Sequence, residues 1–215
     1  VFFGSALHLE GVETFLQGLE TFTEAPAYGE AFAARVFKIA RDHQGNRLTY
    51  LKVTGGALSV RAPLTYLPRQ GEEGVEEKVT QLRLYSGAKF QTVDTVSPGQ
   101  VCAALGLTQT YPGQGLGAAT PAPPPLLEPV VTYRLLLPEE VDPKVLLPKL
   151  RQLEEEDPQL HLVWDQAHQE IHARLMGQVQ IEVLQRLIQD RFGVAVGVDQ
   201  GRILYKETIA APVEG

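Results

Sequence analysis

The chain has 215 residues, 44% of them hydrophobic, and a formal net charge of −7 at pH 7, a composition typical of one or two globular domains with packed cores. A single cysteine, Cys102, excludes an internal disulfide framework and indicates a reducing compartment. No apolar run approaches the ~20 residues that a membrane-spanning helix needs, so we expect a cytoplasmic protein.

Residues 1–26 are predicted to form a strand and a helix. Val1 to Ser5 has the composition of a short buried strand that enters a turn at Gly4. Pro26 ends the helix because proline cannot continue one. The helix is predicted from apolar residues that recur at the spacing of an amphipathic helix, which are Val12, Phe15, Leu16, Leu19 and Phe22.

Residues 31–107 change to short β-rich runs separated by turn residues. Many short strands with frequent Gly and Pro turns are typical of a sandwich or a small closed barrel. The predicted strands are 31–40, 47–53, 57–60, 64–67, 78–85, 90–96 and 101–107.

The stretch from Tyr111 to Pro125 is rich in Gly, Ala and Pro. Such a segment is a poor candidate for a sheet interior, so we expect an excursion or a stiff linker. Its Gly113-Gln-Gly-Leu-Gly run resembles a nucleotide-binding glycine fingerprint only superficially. The last glycine of that fingerprint is missing, and no strand-to-helix context follows, so no phosphate site is predicted here.

From Val130 the pattern predicts a β-α-β-β-α-β order, which is the ferredoxin-like arrangement. Pro148 is a misfit in the first of its helices, so that helix either begins near Pro148 or is kinked there. Gly193 has the place of a C-terminal glycine of the second helix. The predicted elements are strand 130–137, helix 142–156, strands 160–164 and 170–175, a helix with an apolar stripe at Val179, Val183, Leu184, Leu187 and Ile188, strand 194–198 and a further run at 203–206.

Net charge divides unevenly along the chain. Residues 27–125 hold ten basic and seven acidic side chains, whereas residues 1–26 hold four acidic and no basic ones. Residues 126–215 hold nine basic and fifteen acidic side chains. Only the middle segment is net positive, which is the sign needed for contacts with nucleic-acid phosphates.

A known family is suggested by the block Arg174-Leu-Met-Gly-Gln-Val-Gln-Ile-Glu-Val-Leu-Gln-Arg-Leu. It resembles the Met-Gly-Glu-Leu-His-Leu-Glu signature in the third domain of elongation factor G. It is closer to the Gly-x-Val-Gln-x-Glu-Val form of the related tetracycline-resistance ribosomal protection proteins, because Gln180 stands where elongation factor G usually has His. Three further matches follow the family's order, at Phe3-Gly-Ser-Ala-Leu, Gly45-Asn-Arg-Leu-Thr-Tyr-Leu-Lys-Val-Thr-Gly-Gly and Tyr205-Lys-Glu-Thr-Ile.

The resemblance implies the centre of a longer translational GTPase. Residues 1–26 would be the last strand and helix of its GTPase domain, 27–125 a translation-factor β-barrel, 126–206 a ferredoxin-like third domain, and 207–215 a tail leading to a fourth domain. The phosphate-binding G-x-x-x-x-G-K-[ST] string does not occur in the sequence. We therefore expect no enzyme activity from these residues alone, with GTP and Mg²⁺ bound by the intact parent.

The resemblance also implies roles for particular residues. Ser5, Ala6 and Leu7 match the fifth GTPase motif, in which a tight turn presents backbone N–H groups to the guanine edge. Gln178, Gln180 and Glu182 would lie on a helix that faces the ribosome and the neighbouring domains, although a solvated helix face is an equal alternative.

The second domain of the family lies against small-subunit ribosomal RNA. On that basis Arg47, Lys52 and Arg61 are our candidates for phosphate contacts. The acidic run Glu154 to Asp157 is expected to be a solvated helix end, with a basic ribosomal protein as the alternative partner. Neither a membrane nor DNA is expected as a partner.

A metal site is not expected either. His168, Glu170 and His172 would share one face of an alternating strand, but no third strong ligand lies nearby in sequence, and the zinc-protease pattern needs a helix. Three functions remain open: a ribosomal protection protein, which we favour, a paralogous or genuine translocation factor, and a small-molecule-sensing module built on the ferredoxin-like half.

Overall fold

The computed structural model describes residues 1–24, 26–68, 73–123, 129, 131–157 and 159–199, together with the backbone of Arg202 and Ile203. Within the first part of the chain, one helix precedes ten strands. They are α1 (Val12–Phe22), β1 (Ala33–Arg41), β2 (Arg47–Gly55), β3 (Leu58–Ser59), β4 (Pro63–Tyr66), β5 (Val75–Lys78), β6 (Gln81–Ser86), β7 (Lys89–Val93), β8 (Thr95–Val96), β9 (Val101–Leu105) and β10 (Gly115–Gly117).

The predicted helix α1 is confirmed, but the strand predicted before it is not. Residues 1–4 have no strand partner among the described residues, and Ser5 pairs with Glu10 only through an isolated bridge. A strand needs a neighbouring backbone for its hydrogen bonds. The apolar face of α1 is also largely exposed: Gly18 is the only buried residue of this helix, and Phe2 packs against it and against Phe15.

Residues 29–123, here called the barrel half, form an antiparallel sheet in the order β10-β1-β2-β9-β6-β7 and two small sheets, β3-β8 and β4-β5. All three sheets contribute to one hydrophobic core. Its members include Val36, Leu51, Leu58, Leu82 and Leu116. Strands from separate sheets that surround a common core give the barrel architecture that the frequent turns predicted.

Three details of the barrel half differ from the prediction. The run 90–96 divides into β7 and β8 at Asp94. The run 78–85 divides into β5 and β6, because Val79 turns into the core between them. The Gly-rich stretch contains β10, which pairs with β1, so its interpretation as an excursion or linker was wrong for these residues. Glycine makes this edge strand possible: a Cβ on Gly117 would lie 2.3 Å from the carbonyl oxygen of Phe32.

The second part of the chain, residues 131–203, is here called the α/β half. Its sheet has the order β12-β13-β11-β14, with β15 also pairing with β11. Placing the first strand in the middle, next to the third and fourth, is the ferredoxin-like topology. The elements are β11 (Val131–Leu136), α2 (Pro143–Glu156), β12 (His161–Asp165), β13 (Glu170–Leu175), α3 (Gln178–Phe192), β14 (Gly197–Val198) and β15 (Arg202–Ile203).

Helix α2 begins at Pro143 and is capped by Asp142, whose side chain accepts a hydrogen bond from the backbone N–H of Lys144. Pro148 lies inside it, so the alternative in which the helix starts near Pro148 was wrong. Helix α3 ends at Gly193 with a φ of 69°, as predicted for a C-terminal glycine.

The buried face of α3 is only partly the predicted one: Leu184 and Ile188 belong to the predicted stripe, whereas Ile181 does not. Ile181, Leu184 and Ile188 pack into the core of the α/β half, whereas Val179 is 76% exposed and Val183 and Leu187 are also exposed.

Among the described residues, no helix has the length and apolar character needed to cross a membrane. Of the predicted elements, residues 204–206 lie outside the described residues, as does the Tyr205-Lys-Glu-Thr-Ile match.

Candidate functional site

The turn formed by Ser5, Ala6 and Leu7 is closed at its base by two backbone hydrogen bonds between Ser5 and Glu10, of 3.0 and 3.1 Å. The Oγ of Ser5 accepts a hydrogen bond from the backbone N–H of His8 at 3.4 Å. Ala6 and Leu7 are exposed at the tip. The serine therefore supports the turn from within, and the tip is open to solvent.

Phosphates need a cradle of backbone N–H groups and a cation, and the sequence has no such loop. Among the described residues, no group of three or more His, Cys, Asp or Glu side chains could hold a metal ion. The turn at Ser5 could contact a base edge, but it offers nothing for phosphates.

Arg47, a candidate phosphate contact, is bound inside the protein. Its side chain is only 12% exposed. The guanidinium donates to the carbonyl oxygen of Leu107 at 2.7 Å, to Oγ1 of Thr110 at 2.9 Å and to Glu155 at 3.1 Å. Its nitrogens are thus committed to a buried polar cluster, and a phosphate could reach Arg47 only by displacing these partners.

Lys52 and Arg61 are placed differently from Arg47. Both are exposed. Lys52 stands on β2 in register with Arg35 of β1, whereas Arg61 lies in the turn after β3, where its backbone N–H donates to the carbonyl oxygen of Val79. The structure does not bring the three sequence candidates together into one cluster.

The six-stranded sheet has a charge pattern that the sequence analysis did not recognise. Its six strands contain basic residues but no acidic residue. In sequence these residues are dispersed over some fifty positions, and only the strand order collects them. The basic residues are Arg35, Lys38, Arg41, Arg47, Lys52, Arg83 and Lys89.

Four aromatic side chains form a continuous ladder across the same sheet. The ring centroids are 6.2 Å apart for Phe37 and Tyr50, 5.6 Å for Tyr50 and Tyr85, and 5.3 Å for Tyr85 and Phe90. Tyr50 and Tyr85 meet across the intervening strand because β9 carries the small residue Ala103 opposite Tyr50. The ladder is defined here as these four aromatic residues.

A groove of about 400 Å³ runs beside the ladder, lined by Tyr50, Tyr85 and Phe90 and by the loop that follows β1. Arg83 forms its floor: the guanidinium lies 4.4 Å from the centroid of Phe90 and 2.9 Å from a carboxylate oxygen of Asp42. Burial raises the pKa of Tyr50 to about 12, so its phenol stays neutral at physiological pH.

Asp42 organises the loop beside the groove. Its carboxylate accepts hydrogen bonds from the side chain of Asn46, from Arg83, and from the backbone N–H groups of Gln44 and Asn46. The bond from the Asn46 side chain, with those from Arg83 and the backbone, holds the pKa of Asp42 well below its usual range. The only carboxylate among the groove residues is therefore charged and already paired.

The acidic run at the end of α2 is not simply solvated. Glu154 accepts the backbone N–H of Leu162 at 2.9 Å, which ties α2 to β12. Glu156 accepts both guanidinium nitrogens of Arg191 at 2.8 Å, which ties α2 to α3. These bonds hold the α/β half together and explain an acidic helix end that the helix dipole disfavours.

Glu155 links the two halves of the molecule. One carboxylate oxygen accepts a hydrogen bond from Arg41 at 3.0 Å and another from Arg47 at 3.1 Å. Both arginines belong to the barrel half, whereas Glu155 belongs to α2. No sequence pattern indicates this bridge, because its partners lie more than a hundred positions apart.

Of the three candidates on α3, only Gln180 faces the barrel half. It is half-buried, and its side-chain oxygen accepts the backbone N–H of Met176 at 2.7 Å. It also lines a cavity of about 190 Å³ shared with Lys38 and Ile39 of β1. Gln178 and Glu182 are exposed to solvent.

The two histidines near β13, His168 and His172, each contact a carboxylate. His168 lies in the turn before β13, so it does not share a strand face with Glu170 and His172, and its Nδ1 lies 2.8 Å from Asp165. That contact raises the pKa of His168. His172 lies 3.2 Å from Glu170, which also pairs with Arg134.

The single cysteine lies in the core of the barrel half. Burial raises the pKa of the Cys102 thiol to about 12, so the thiol stays protonated and inert.

Comparison with protein families finds a match over residues 126–200, to the family described as Elongation Factor G, domain III. Elongation factor G of Thermotoga petrophila is 30% identical over 195 residues, which cover 88% of this chain and 27% of that protein. An oxytetracycline resistance protein of Streptomyces rimosus is 33% identical over 215 residues, which cover 94% of this chain and 32% of that protein. The chain thus spans about a third or less of the length of these relatives.

A solved structure, described as the crystal structure of ttk003000868 from Thermus thermophilus, has the same fold. The TM-score is 0.64 at 22% sequence identity, over 88% of this chain and 29% of that one. The matched part includes both halves of the molecule, so the order of a barrel followed by a ferredoxin-like unit is shared.

Proposed function

Residues 126–200 belong to the domain III family of elongation factor G, and from that premise we propose that this chain is the central segment of a ribosome-binding translational GTPase. The supporting observation is the continuous similarity to elongation factor G and to an oxytetracycline resistance protein across both halves. The segment docks the protein on the ribosome in the cytoplasm and transmits domain movements. GTP and Mg²⁺ are bound elsewhere in the longer protein, to which Ser5, Ala6 and Leu7 contribute the guanine-facing turn.

We place the parent with the tetracycline-resistance ribosomal protection type. Two observations support this choice: the oxytetracycline resistance protein is 33% identical, against 30% for elongation factor G of Thermotoga petrophila, and Gln180 replaces the usual His of elongation factor G. The alternative is a paralogous or genuine elongation factor G. It is favoured by the many relatives that carry that name.

The two functions predict opposite outcomes in cells. The complete reading frame that contains this chain would be expressed in a tetracycline-sensitive bacterium, and separately in a strain depleted of its own elongation factor G. A ribosomal protection protein restores growth in tetracycline but not growth without elongation factor G. Rescue of the depleted strain alone would identify a translocation factor and exclude the drug-protection proposal.

For docking, we propose that the barrel half meets small-subunit ribosomal RNA and that Lys52 and Arg61 contact phosphates. Both are exposed lysine or arginine side chains on the net basic segment. Arg47 has an internal role and contributes by holding the surface in place. Phosphate contacts release counterions, so log affinity for the ribosome should fall with log salt by roughly 0.7 to 0.9 per contact.

A co-sedimentation titration of this chain with small ribosomal subunits at several salt concentrations tests the docking. Lys52→Glu and Arg61→Glu should each weaken binding and flatten the salt dependence. Glu140→Lys, a charge change at an exposed site of the α/β half, is the control. If both barrel variants keep the affinity of the wild type and its slope of log affinity against log salt, the docking surface lies elsewhere. A basic ribosomal protein is then the next partner to test.

A further inference from the structure

We propose that the outer face of the six-stranded sheet binds an unpaired segment of RNA, with its bases stacked on the ladder of Phe37, Tyr50, Tyr85 and Phe90. The proposal rests on the proposed function, since a ribosome supplies the RNA. It goes further in naming a stacking site and the single-stranded form of the ligand. The four aromatic residues that stack on the bases are distinct from the phosphate contacts Lys52 and Arg61.

The first support is the exposure of the ladder. Phe90 is 47% exposed and Phe37 50% exposed, although large apolar rings in the middle of a protein surface cost free energy when left in water. The rings are tilted by 42° to 52° relative to their neighbours and follow one another at 5.3–6.2 Å. A row of partly open rings offers successive faces to flat ligands.

The second support is the charge around the ladder. Lys38 is paired in register with Tyr50, and its Nζ lies 5.8 Å from the Tyr50 ring centroid. Two rows further along the same two strands, beyond the pair of Val36 and Leu51, Arg35 is in register with Lys52. The strands contain no acidic residue, and Asp42 at the groove edge is ion-paired with Arg83 at 2.9 Å. Cations beside aromatic faces match a chain of bases joined by phosphates.

The form of the nucleic acid follows from the chemistry of stacking. In a duplex the base faces are covered by neighbouring base pairs, whereas unpaired bases can stack on aromatic side chains. A peptide strand would instead bind a sheet edge through backbone hydrogen bonds, and the ladder crosses the face of the sheet. The observations therefore favour single-stranded RNA over duplex RNA and over a peptide.

Fluorescence anisotropy with labelled RNA of roughly ten nucleotides, within the site sizes of single-strand binding surfaces, tests the proposal on this chain. The single strand should bind more tightly than the same sequence as a duplex. Because stacking contributes about 1–3 kcal/mol per base, Phe90→Ala and Phe37→Ala should each weaken binding by roughly 5- to 150-fold.

Phe15→Ala is the matched control, because Phe15 on α1 is 45% exposed and lies outside the sheet. It should leave affinity unchanged. Thermal unfolding of all three variants confirms that they fold. An oligomer of the same length with abasic sugars keeps the phosphates and removes the bases, so it should bind to the wild type at least as weakly as the intact RNA binds to Phe90→Ala.

Equal binding of single strand, duplex and abasic oligomer, with no effect of Phe37 or Phe90, would overturn the stacking proposal. Sedimentation of the same preparations with small ribosomal subunits tests docking separately. Subunit binding without ladder-dependent RNA binding leaves the proposed function standing and refutes the stacking site; docking would then rest on the phosphate contacts of Lys52 and Arg61 without base stacking. If the chain shows neither ladder-dependent RNA binding nor binding to small ribosomal subunits, both the stacking site and docking by this segment are rejected.

Discussion

At the scale of single residues, Arg47 was a sequence candidate for a phosphate contact, and the structure gives it internal partners. It holds the Leu107–Thr110 loop on the barrel half and reaches Glu155 on the other half. Arg47→Ala should lower the free energy of unfolding by about 2–4 kcal/mol, because several buried acceptors lose a charged donor. Urea unfolding measures this effect.

Lys52→Ala is the control for Arg47→Ala, since Lys52 is exposed on the same strand. Its effect on unfolding should stay within about 0.5 kcal/mol. Equal midpoints for the two variants would contradict the internal role of Arg47 and restore it as a free surface cation.

Asp42 should make the barrel half sensitive to acid. Its pKa is lowered by the hydrogen bonds from Asn46 and Arg83. A carboxylate with a depressed pKa stabilises the fold fully above the ordinary pKa of Asp, about 3.9, and this stabilisation declines as the pH falls below that value. Asp42→Asn should therefore flatten the acid limb of a stability-versus-pH curve, measured by thermal unfolding between about pH 6 and pH 2.

The exposed Asp94, replaced in Asp94→Asn, serves as the control for the acid limb. Its curve should follow that of the wild type. An unaltered acid limb in Asp42→Asn would show that the Asp42 loop already opens at a higher pH.

At the scale of elements, the sequence predicts helices and strands better than it predicts their faces. On α3 two apolar stripes lie side by side, one through Val179, Val183 and Leu187 and one through Ile181, Leu184 and Ile188. Both have helical spacing, and only the position of the sheet decides which is buried. The sequence also does not predict the aromatic ladder of the barrel half, because strands distant in sequence become neighbours only through long-range pairing.

The effect of Pro148 on the stability of helix α2 can be tested directly. Pro148 has no N–H for a bond to the carbonyl oxygen of Lys144. Pro148→Ala should stabilise the α/β half by about 2 kcal/mol, which is the interior cost of proline, roughly 3 kcal/mol, less about 0.4–1 kcal/mol for the gain in freedom of the unfolded chain. Trp164, the only tryptophan, lies on β12 and reports unfolding of this half by fluorescence.

Pro143→Ala is the matched control, since Pro143 occupies the first turn of the same helix, where proline is tolerated. It should leave the midpoint nearly unchanged. A destabilised Pro148→Ala variant would mean that α2 depends on the shape that proline gives it.

At the scale of the whole molecule, nucleotide binding is expected to need parts beyond these residues. Titration of the chain with GTP in a calorimeter should give no saturable heat, since the phosphate loop that supplies most nucleotide affinity does not occur in the sequence. A micromolar Kd that disappears in an Ala6→Pro variant would instead make the Ser5 turn sufficient for binding.

The coupling of the two halves can be measured because each contains one chemical reporter. Trp164 lies in the α/β half, and Cys102, the only cysteine, is buried in the barrel half, where its thiol reacts only after unfolding. We predict that residues 27–125 and 126–206 fold independently and that Glu155 adds a modest coupling through Arg41 and Arg47. These ion pairs are partly exposed, so a coupling of about 1 kcal/mol is expected.

Glu155→Gln should consequently lower the urea midpoint of the less stable half and leave the midpoint of the other half in place. The reason is that only the half that unfolds first loses the interface while its partner is still folded. Glu140→Gln, an exposed substitution in the turn before α2, should shift neither the Trp164 signal nor the Cys102 signal. If both midpoints moved together in Glu155→Gln, the two halves would be one cooperative unit, and the boundary proposed near residue 125 would not separate independent domains.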